Sequence, residues 1–237
     1  MKKIQTVPLP AGFGSGNSAL CGRLSEIIAI FVGKHINTAM KQSSKPGTML
    51  YPLPAVLVSC GAHPEEYNIL TIAWTGTVCS DPPMCYISVR RERHSYDIIR
   101  RTGEFVINLT TERLAKATDW CGVRSGRDFD KFEQMNLTPV PAQKVAAPVI
   151  AESPVAIECR VKQIIELGSH DMFLAEVANV LVDEELIDPQ TGKYHLERAG
   201  LITYSHGEYF ALGKALGHFG WSVRKKPKTK RKLSAKR

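Results

Sequence analysis

From Arg90 to Ser95 the chain reads R-R-E-R-H-S, which places three guanidinium groups, an imidazole and a hydroxyl side by side. An apolar, β-favouring run, Met84 to Val89, delivers the chain to this cluster. Beyond it, Tyr96-Asp97-Ile98-Ile99-Arg100-Arg101 carries a short helical pattern that Gly103 ends. Ser95 is the expected N-cap. A helix start with unpaired backbone N–H groups, the positive end of its dipole and several neighbouring guanidiniums suits a phosphate monoester. The same residues also read as a solvated charge run at a strand end, with His94 an ordinary surface histidine beside a cap.

The elements around the cluster are mostly strands. Tyr67 to Thr77 is rich in Ile, Leu, Thr and Trp and predicts one strand, and Asp81-Pro82-Pro83 breaks it from the Met84 run. Thr71 and Thr75, four apart in such a strand, share a face and present two hydroxyls that need polar partners; they also fit plain β-propensity. Trp74 faces the other way, where it can cover a ring edge or join a subunit contact. Leu53 to Cys60 and Glu104 to Leu109 predict further strands, and Thr110 or Thr111 is a candidate cap for a helix from Glu112 to Trp120, ended by Cys121-Gly122. A short helical piece runs from Phe129 to Met135, opened by Ser125-Gly126-Arg127-Asp128, and a proline-marked connection leads to Pro154. Val155 to Leu167 and Met172 to Val182, joined by Gly168-Ser169-His170-Asp171, read as a hairpin. Asp188 to Arg198 is a polar excursion, and brief strands flank His206-Gly207. At least eight strand segments without a βαβ rhythm or a G-x-G-x-x-G run exclude a dinucleotide-binding Rossmann domain. The expected class is mainly β with inserted helices, closed into an antiparallel barrel that leaves no free edge.

The chain's 237 residues, 43% of them hydrophobic, support one sizeable core. Its net charge of +8 sits at the ends: nine Lys or Arg lie in residues 224–237 and a net three positive charges in 1–39, which leaves 40–223 at −4. A nucleic-acid reading would rest on the tail alone, as nonspecific contacts of a segment expected to be disordered. Six cysteines, with no C-x-x-C pair and no histidine at ligand spacing, signal neither a metal site nor a redox dithiol. Together with no convincing signal peptide and no apolar run of roughly 18–20 residues, this predicts a soluble cytoplasmic protein without a membrane anchor.

In order along the chain, P-L-P-A-V-L-V-S-C-G, Y-N-I-L-T-I-A-W-T-G, D-P-P, S-V-R-R-E-R-H-S-Y, E-F-V-I-N-L, D-W-C-G-V-R-S-G-R-D, G-S-H-D-M-F-L-A-E-V and H-G-E-Y-F-A-L-G resemble the flavin reductase-like family of FMN-binding split β-barrels, and within it the flavoredoxin branch. The resemblance runs from about Lys45 to Val223. It implies FMN as cofactor, a homodimer, and a flavoprotein oxidoreductase that takes electrons from a nicotinamide nucleotide or a redox-protein donor and passes them to a flavin, ferric or protein acceptor.

Carried onto matching positions, the resemblance puts Asn68, Thr71, Ala73, Trp74, Thr75 and Gly76 on one side of the flavin and Ser88, Val89 and Arg90 on the other. Arg93, His94 and Ser95 take the phosphate. His170, His206 and Tyr209 form a second cluster, which the resemblance places near the flavin of a neighbouring subunit. No catalytic acid, base or nucleophile stands out, as expected where the flavin itself carries the electrons. The alternative is a binding module on the same barrel, holding another cofactor without redox turnover. The expected organisation is an extension over 1–44, with a weakly docked helix around Arg23 to Lys34, a domain over 45–223 and the basic tail over 224–237. Because the resemblance begins just after Met40, that residue is a candidate physiological start.

Overall fold

A computed structural model describes residues 41–224; the expected helix around Arg23 to Lys34, the role of Met40 and the basic tail beyond Arg224 lie outside them. Residues 41–48 form no regular element. The unit that starts at Met49 carries all the strands and helices described here.

The strands are β1 (Leu53–Pro54), β2 (Val56–Cys60), β3 (Asn68–Ile72), β4 (Thr75–Ser80), β5 (Pro83–Val89), β6 (Glu104–Leu109), β7 (Pro139–Val140), β8 (Val149–Ile150), β9 (Val155–Glu166), β10 (Asp171–Val182), β11 (Ile202–Ser205) and β12 (Glu208–Ala211). The helices are α1 (His94–Thr102), α2 (Ala115–Val123) and α3 (Lys131–Met135). Seven strands form one antiparallel sheet in the order β3-β2-β6-β9-β10-β5-β4, and β1, β11 and β12 form a small second sheet.

Strands β3 and β4 end that sheet at opposite edges, yet only Ala73 and Trp74 separate them in sequence. The sheet must therefore roll until its edges meet, and no ladder joins β3 to β4 across the seam. This is a split barrel. The expected single strand from Tyr67 to Thr77 is corrected here: it breaks at Ala73-Trp74, so Thr71 and Thr75 stand on different strands and share no face. The cause is tertiary, since one strand cannot serve both edges of the rolled sheet.

The barrel interior is apolar, built from Val58, Leu70, Ile87, Phe105, Phe173 and their neighbours, and α1 contributes Tyr96, Ile98 and Ile99 to it. A second cluster lies outside the barrel, where Leu57 and Ile69 meet Leu114, Ala117 and Cys121 of the α2 segment and Phe132 of α3. β2 is consequently buried at every position, V-L-V-S-C. Asn108, buried on β6, donates from Nδ2 to the Leu57 carbonyl at 3.1 Å and accepts from Ile150 N at 3.0 Å, tying this layer to the sheet.

Three helix starts differ from expectation. Arg93, extended at φ −69° and ψ 134°, occupies the N-cap of α1 without a side-chain cap. Ser95 lies inside the helix, and its Oγ accepts from Asn68 Nδ2 at 2.7 Å, a long-range partner that local sequence cannot announce. A single turn of 3-10 helix, Glu112–Leu114, precedes α2, and Thr111 gives no side-chain cap. Thr110 instead donates to the Ala55 carbonyl at 2.5 Å, and α2 continues through Gly122 to Val123. Asp130, rather than the Ser125 segment, caps α3, accepting from Phe132 N at 2.9 Å and Glu133 N at 3.1 Å. The β4–β5, β9–β10 and β11–β12 hairpins all form. In the last, both turn residues need positive φ, His206 at 49° and Gly207 at 89°.

Candidate flavin site

The break between β3 and β4 opens a cavity of about 370 Å³, within the usual size range of small-molecule sites. Thr71, Ala73 and Trp74 line it from the break, and Ser88, Val89 and Arg90 from the end of β5. Gly122 and Val123 close one side from the end of α2, while His170 enters from the β9–β10 hairpin and Tyr204, Gly207 and Tyr209 from the β11–β12 hairpin. The Trp74 carbonyl accepts from Ser88 N at 2.9 Å, so the two sides are joined through the backbone. The Trp74 and His170 rings pack at a tilt of 40° with centroids 4.4 Å apart. Burial, and then the Arg90 charge, push His170 below the ordinary histidine range. Tyr209 lies 3.5 Å from Asp119 Oδ1, and burial and that carboxylate push its phenol up to about 12.

A second cavity, about 360 Å³, adjoins the first and shares Leu70, Arg90, Arg93 and Val123 with it. Asn68, His94, Ser95, Ser125 and Gly126 line it together with Arg90, Arg93, Arg124, Arg127, Lys131 and a single acid, Glu92. Five fixed cations against one carboxylate make it a place for an anion. Arg93 donates to the Gly122 carbonyl at 2.9 Å and Arg127 to the Glu92 carbonyl at 3.1 Å, which fixes both guanidiniums at the rim.

Lys131 is the unusual member. Only 4% exposed, its ammonium donates to the Cys121 carbonyl at 2.8 Å, and its other two N–H groups have no hydrogen-bond acceptor among the described residues. Burial, with Arg93 adding to it, pulls its pKa down to about 8. A half-satisfied buried ammonium is costly unless something negative joins it. Burial and the charges of Arg127 and Lys131 likewise hold His94 below its ordinary value.

The sequence-predicted residues thus divide between the cavities. Thr71, Ala73, Trp74, Ser88 and Val89 line the first, Asn68, His94 and Ser95 the second, and Arg90 and Arg93 both. Thr75 and Gly76 line neither: Thr75 donates to the Tyr86 carbonyl at 2.6 Å, and a Cβ at Gly76 would stand 3.2 Å from the Tyr86 ring. His170 and Tyr209 enter this chain's own first cavity, whereas His206 packs on Tyr51 with ring centroids 4.7 Å apart. Thr71 reaches the Thr118 carbonyl, so its hydroxyl anchors α2. Sequence reasoning missed Lys131, Arg127 and Asp119. Asp119 and Arg127 lie in D-W-C-G-V-R-S-G-R-D, a motif without an assigned role, and Lys131 lies just beyond it.

The sequence model of the Flavin reductase like domain matches residues 48–213. The chain belongs to that family. It is 33% identical over 166 residues to an uncharacterised protein of Archaeoglobus fulgidus, an alignment that covers 70% of this chain and 91% of that protein. Among solved structures it resembles the flavoredoxin of Desulfovibrio vulgaris (Miyazaki F), with a TM-score of 0.72 and 32% identity over 78% of this chain and all of that one. Nitrilotriacetate monooxygenase component B from Bacillus cereus shares the fold at a TM-score of 0.68 and 20% identity, covering 76% of this chain and all of that one. The cavity pair of this flavin reductase-like chain therefore lies on a barrel shared with redox proteins. No helix among the described residues is long and apolar enough to cross a membrane.

Proposed function

We propose that this chain is a flavin-dependent oxidoreductase that binds FMN across the two cavities, ring in the first and phosphate in the second. The observation that carries the reading is Lys131: a buried ammonium with one hydrogen-bond acceptor among the described residues, lining a basic pocket that adjoins an aromatic-lined one. A phosphate monoester is the part of FMN that such a pocket fits. Arg93, His94, Ser95 and Lys131 hold it, helped by the uncapped first turn of α1. Asn68 fixes the Ser95 side chain from below. On the ring side, Thr71 and Ala73 stand on one wall and Ser88, Val89 and Arg90 on the other. Trp74 and His170 screen the mouth, and Tyr204 and Tyr209 exclude water from the far end.

Bound FMN supplies hydride and single-electron chemistry, and the protein supplies position and electrostatics. Arg90 and Arg93 favour negative charge at the junction of the cavities, where electrons arriving from a donor would be stabilised. A neutral His170 at physiological pH keeps one ring nitrogen able to accept a proton and the other able to donate. The donor is a nicotinamide nucleotide or a redox protein, the acceptor a flavin, a ferric complex or a protein, and the working unit a homodimer.

The test is the absorption spectrum of the purified protein, followed by anaerobic addition of NADH, NADPH or dithionite. Bound FMN that bleaches on reduction is expected. Protein that carries no flavin and takes up none when FMN is added refutes the reading and leaves a binding module for another ligand.

A further inference from the structure

Asp171 is fully buried at the start of β10, next to His170 and opposite Val89 in the ladder. Its carboxylate accepts from Arg91 Nε at 3.0 and 3.2 Å, from Arg91 Nη2 at 3.0 Å and from the Tyr96 hydroxyl at 2.5 Å. Arg91 also pairs with Glu166 at 3.2 Å, and Arg100 lies 3.4 Å from the Tyr96 oxygen. The Arg91 guanidinium, and then the Tyr96 hydroxyl, hold the Asp171 carboxyl below the usual carboxylate range. Asp171, Arg91 and Tyr96 line neither cavity.

What they do is join the segments that line both. Asp171 belongs to the hairpin that carries His170, Arg91 to the loop that carries Arg90 and Arg93, and Tyr96 to the turn of α1 that carries His94 and Ser95. A buried carboxylate needs its partners, so this one holds Arg91 and Tyr96 in place. We propose that Asp171 is a positioning residue: through Arg91 and Tyr96 it clamps the 90–93 loop and α1 to the β9–β10 hairpin, and so sets the phosphate half of the site relative to the ring half. The proposal rests on the flavin reading above.

Two variants test it. Asp171→Asn keeps the shape and removes the charge. Arg91→Gln alters a side chain that is 50% exposed and keeps an amide donor for the buried carboxylate, so it disturbs the core less than a change at Asp171 itself if the first variant folds poorly. FMN and riboflavin are titrated into the apo forms, and hydrogen exchange is followed at the amides of residues 90–95. FMN binding is expected to weaken about tenfold in each variant, within the range seen for residues that act through a packed network. Riboflavin, which needs only the ring half, should weaken less, whereas a merely structural loss would weaken both alike. The double variant should lose no more than the worse single one, because the pair acts as a unit. Exchange at 90–95 should quicken while the amides of β2 and β6 stay protected. Unchanged exchange at 90–95 in Arg91→Gln overturns the clamp whatever the flavins do. If the wild-type protein takes up neither FMN nor riboflavin, the flavin reading falls, and the exchange data still judge the clamp.

Discussion

Replacing Lys131 by Met separates function from stability, because the two should move in opposite directions. In the folded protein burial brings Lys131 from an ordinary 10.5 to about 8. That shift corresponds to roughly 3 kcal/mol by which folding disfavours the charged side chain. The sign follows from linkage: below pH 8 the ammonium is charged in both states and the folded state carries the whole penalty, which is relieved as pH rises from about 8 toward 10.5. Met fills a similar volume without the charge, at the cost of about 1 kcal/mol for the hydrogen bond lost from the Cys121 carbonyl. The apo variant should therefore be more stable at pH 7 by about 2 kcal/mol, or about 4–8 °C in melting temperature for a chain of this size.

Binding should go the other way. A charge-assisted contact to phosphate is worth about 1.5–3 kcal/mol, so FMN affinity should fall by about ten- to a hundredfold, with riboflavin little changed. In the wild type, FMN affinity should also decline as pH rises through about 8, since the free lysine must then regain a proton on binding, and Lys131→Met should flatten that slope. Flavin fluorescence titrations from pH 6 to 9.5 and calorimetric melts of the apo proteins check both halves. An unchanged ratio of FMN to riboflavin affinity would falsify the phosphate assignment. A melting temperature lowered by several degrees would mean that Lys131 is a structural group.

Arg93→Ala should weaken FMN more than riboflavin, by about tenfold, and equal losses for the two ligands would show that Arg93 serves only to hold the Gly122 carbonyl. Light scattering should give the mass of two chains, in keeping with exposed apolar residues at Met49, Leu50, Phe210 and Leu212; a flavin-loaded monomer would contradict it. Of the five cysteines among the described residues, Cys79 should react first with a thiol reagent in the native protein. Cys60, Cys85, Cys121 and Cys159 are buried, and burial lifts Cys60 to about 12 and Cys121 to about 11. Fast modification of Cys60, Cys85, Cys121 or Cys159 would indicate a looser barrel.

Local chemistry made much of this protein readable from its sequence. The Asp81-Pro82-Pro83 break, the hairpin around Gly168, the His206-Gly207 turn and the run from Glu104 to Leu109 act over a few residues, and each formed where its residues pointed, whereas the runs Leu53 to Cys60 and Tyr67 to Thr77 each split into two strands. The basic cluster at Arg90 to Ser95 was visible for the same reason, although Ser95 proved to be a partner of Asn68 instead of a cap. Motif order identified the family and, with it, the barrel.

Other features were settled only by contacts distant in sequence. Ile72, Ala73, Trp74 and Thr75 contain no Gly or Pro, so nothing local marks the seam; the chain turns there because β3 and β4 must end the sheet on opposite edges. Lys131 reads as a polar residue opening a short helix. It becomes a buried cation only when α3 packs beside the Cys121 carbonyl and the loop from Arg124 to Arg127 folds over it. Cys85 and Cys159 lie 74 positions apart, yet their sulfurs come within 3.5 Å inside the barrel. They stand on β5 and β9, the two strands that flank β10. The composition of each segment determined which elements form, and the rolling of the sheet decided which side chains meet, because burial and charge pairing depend on neighbours that only the rolled barrel brings together.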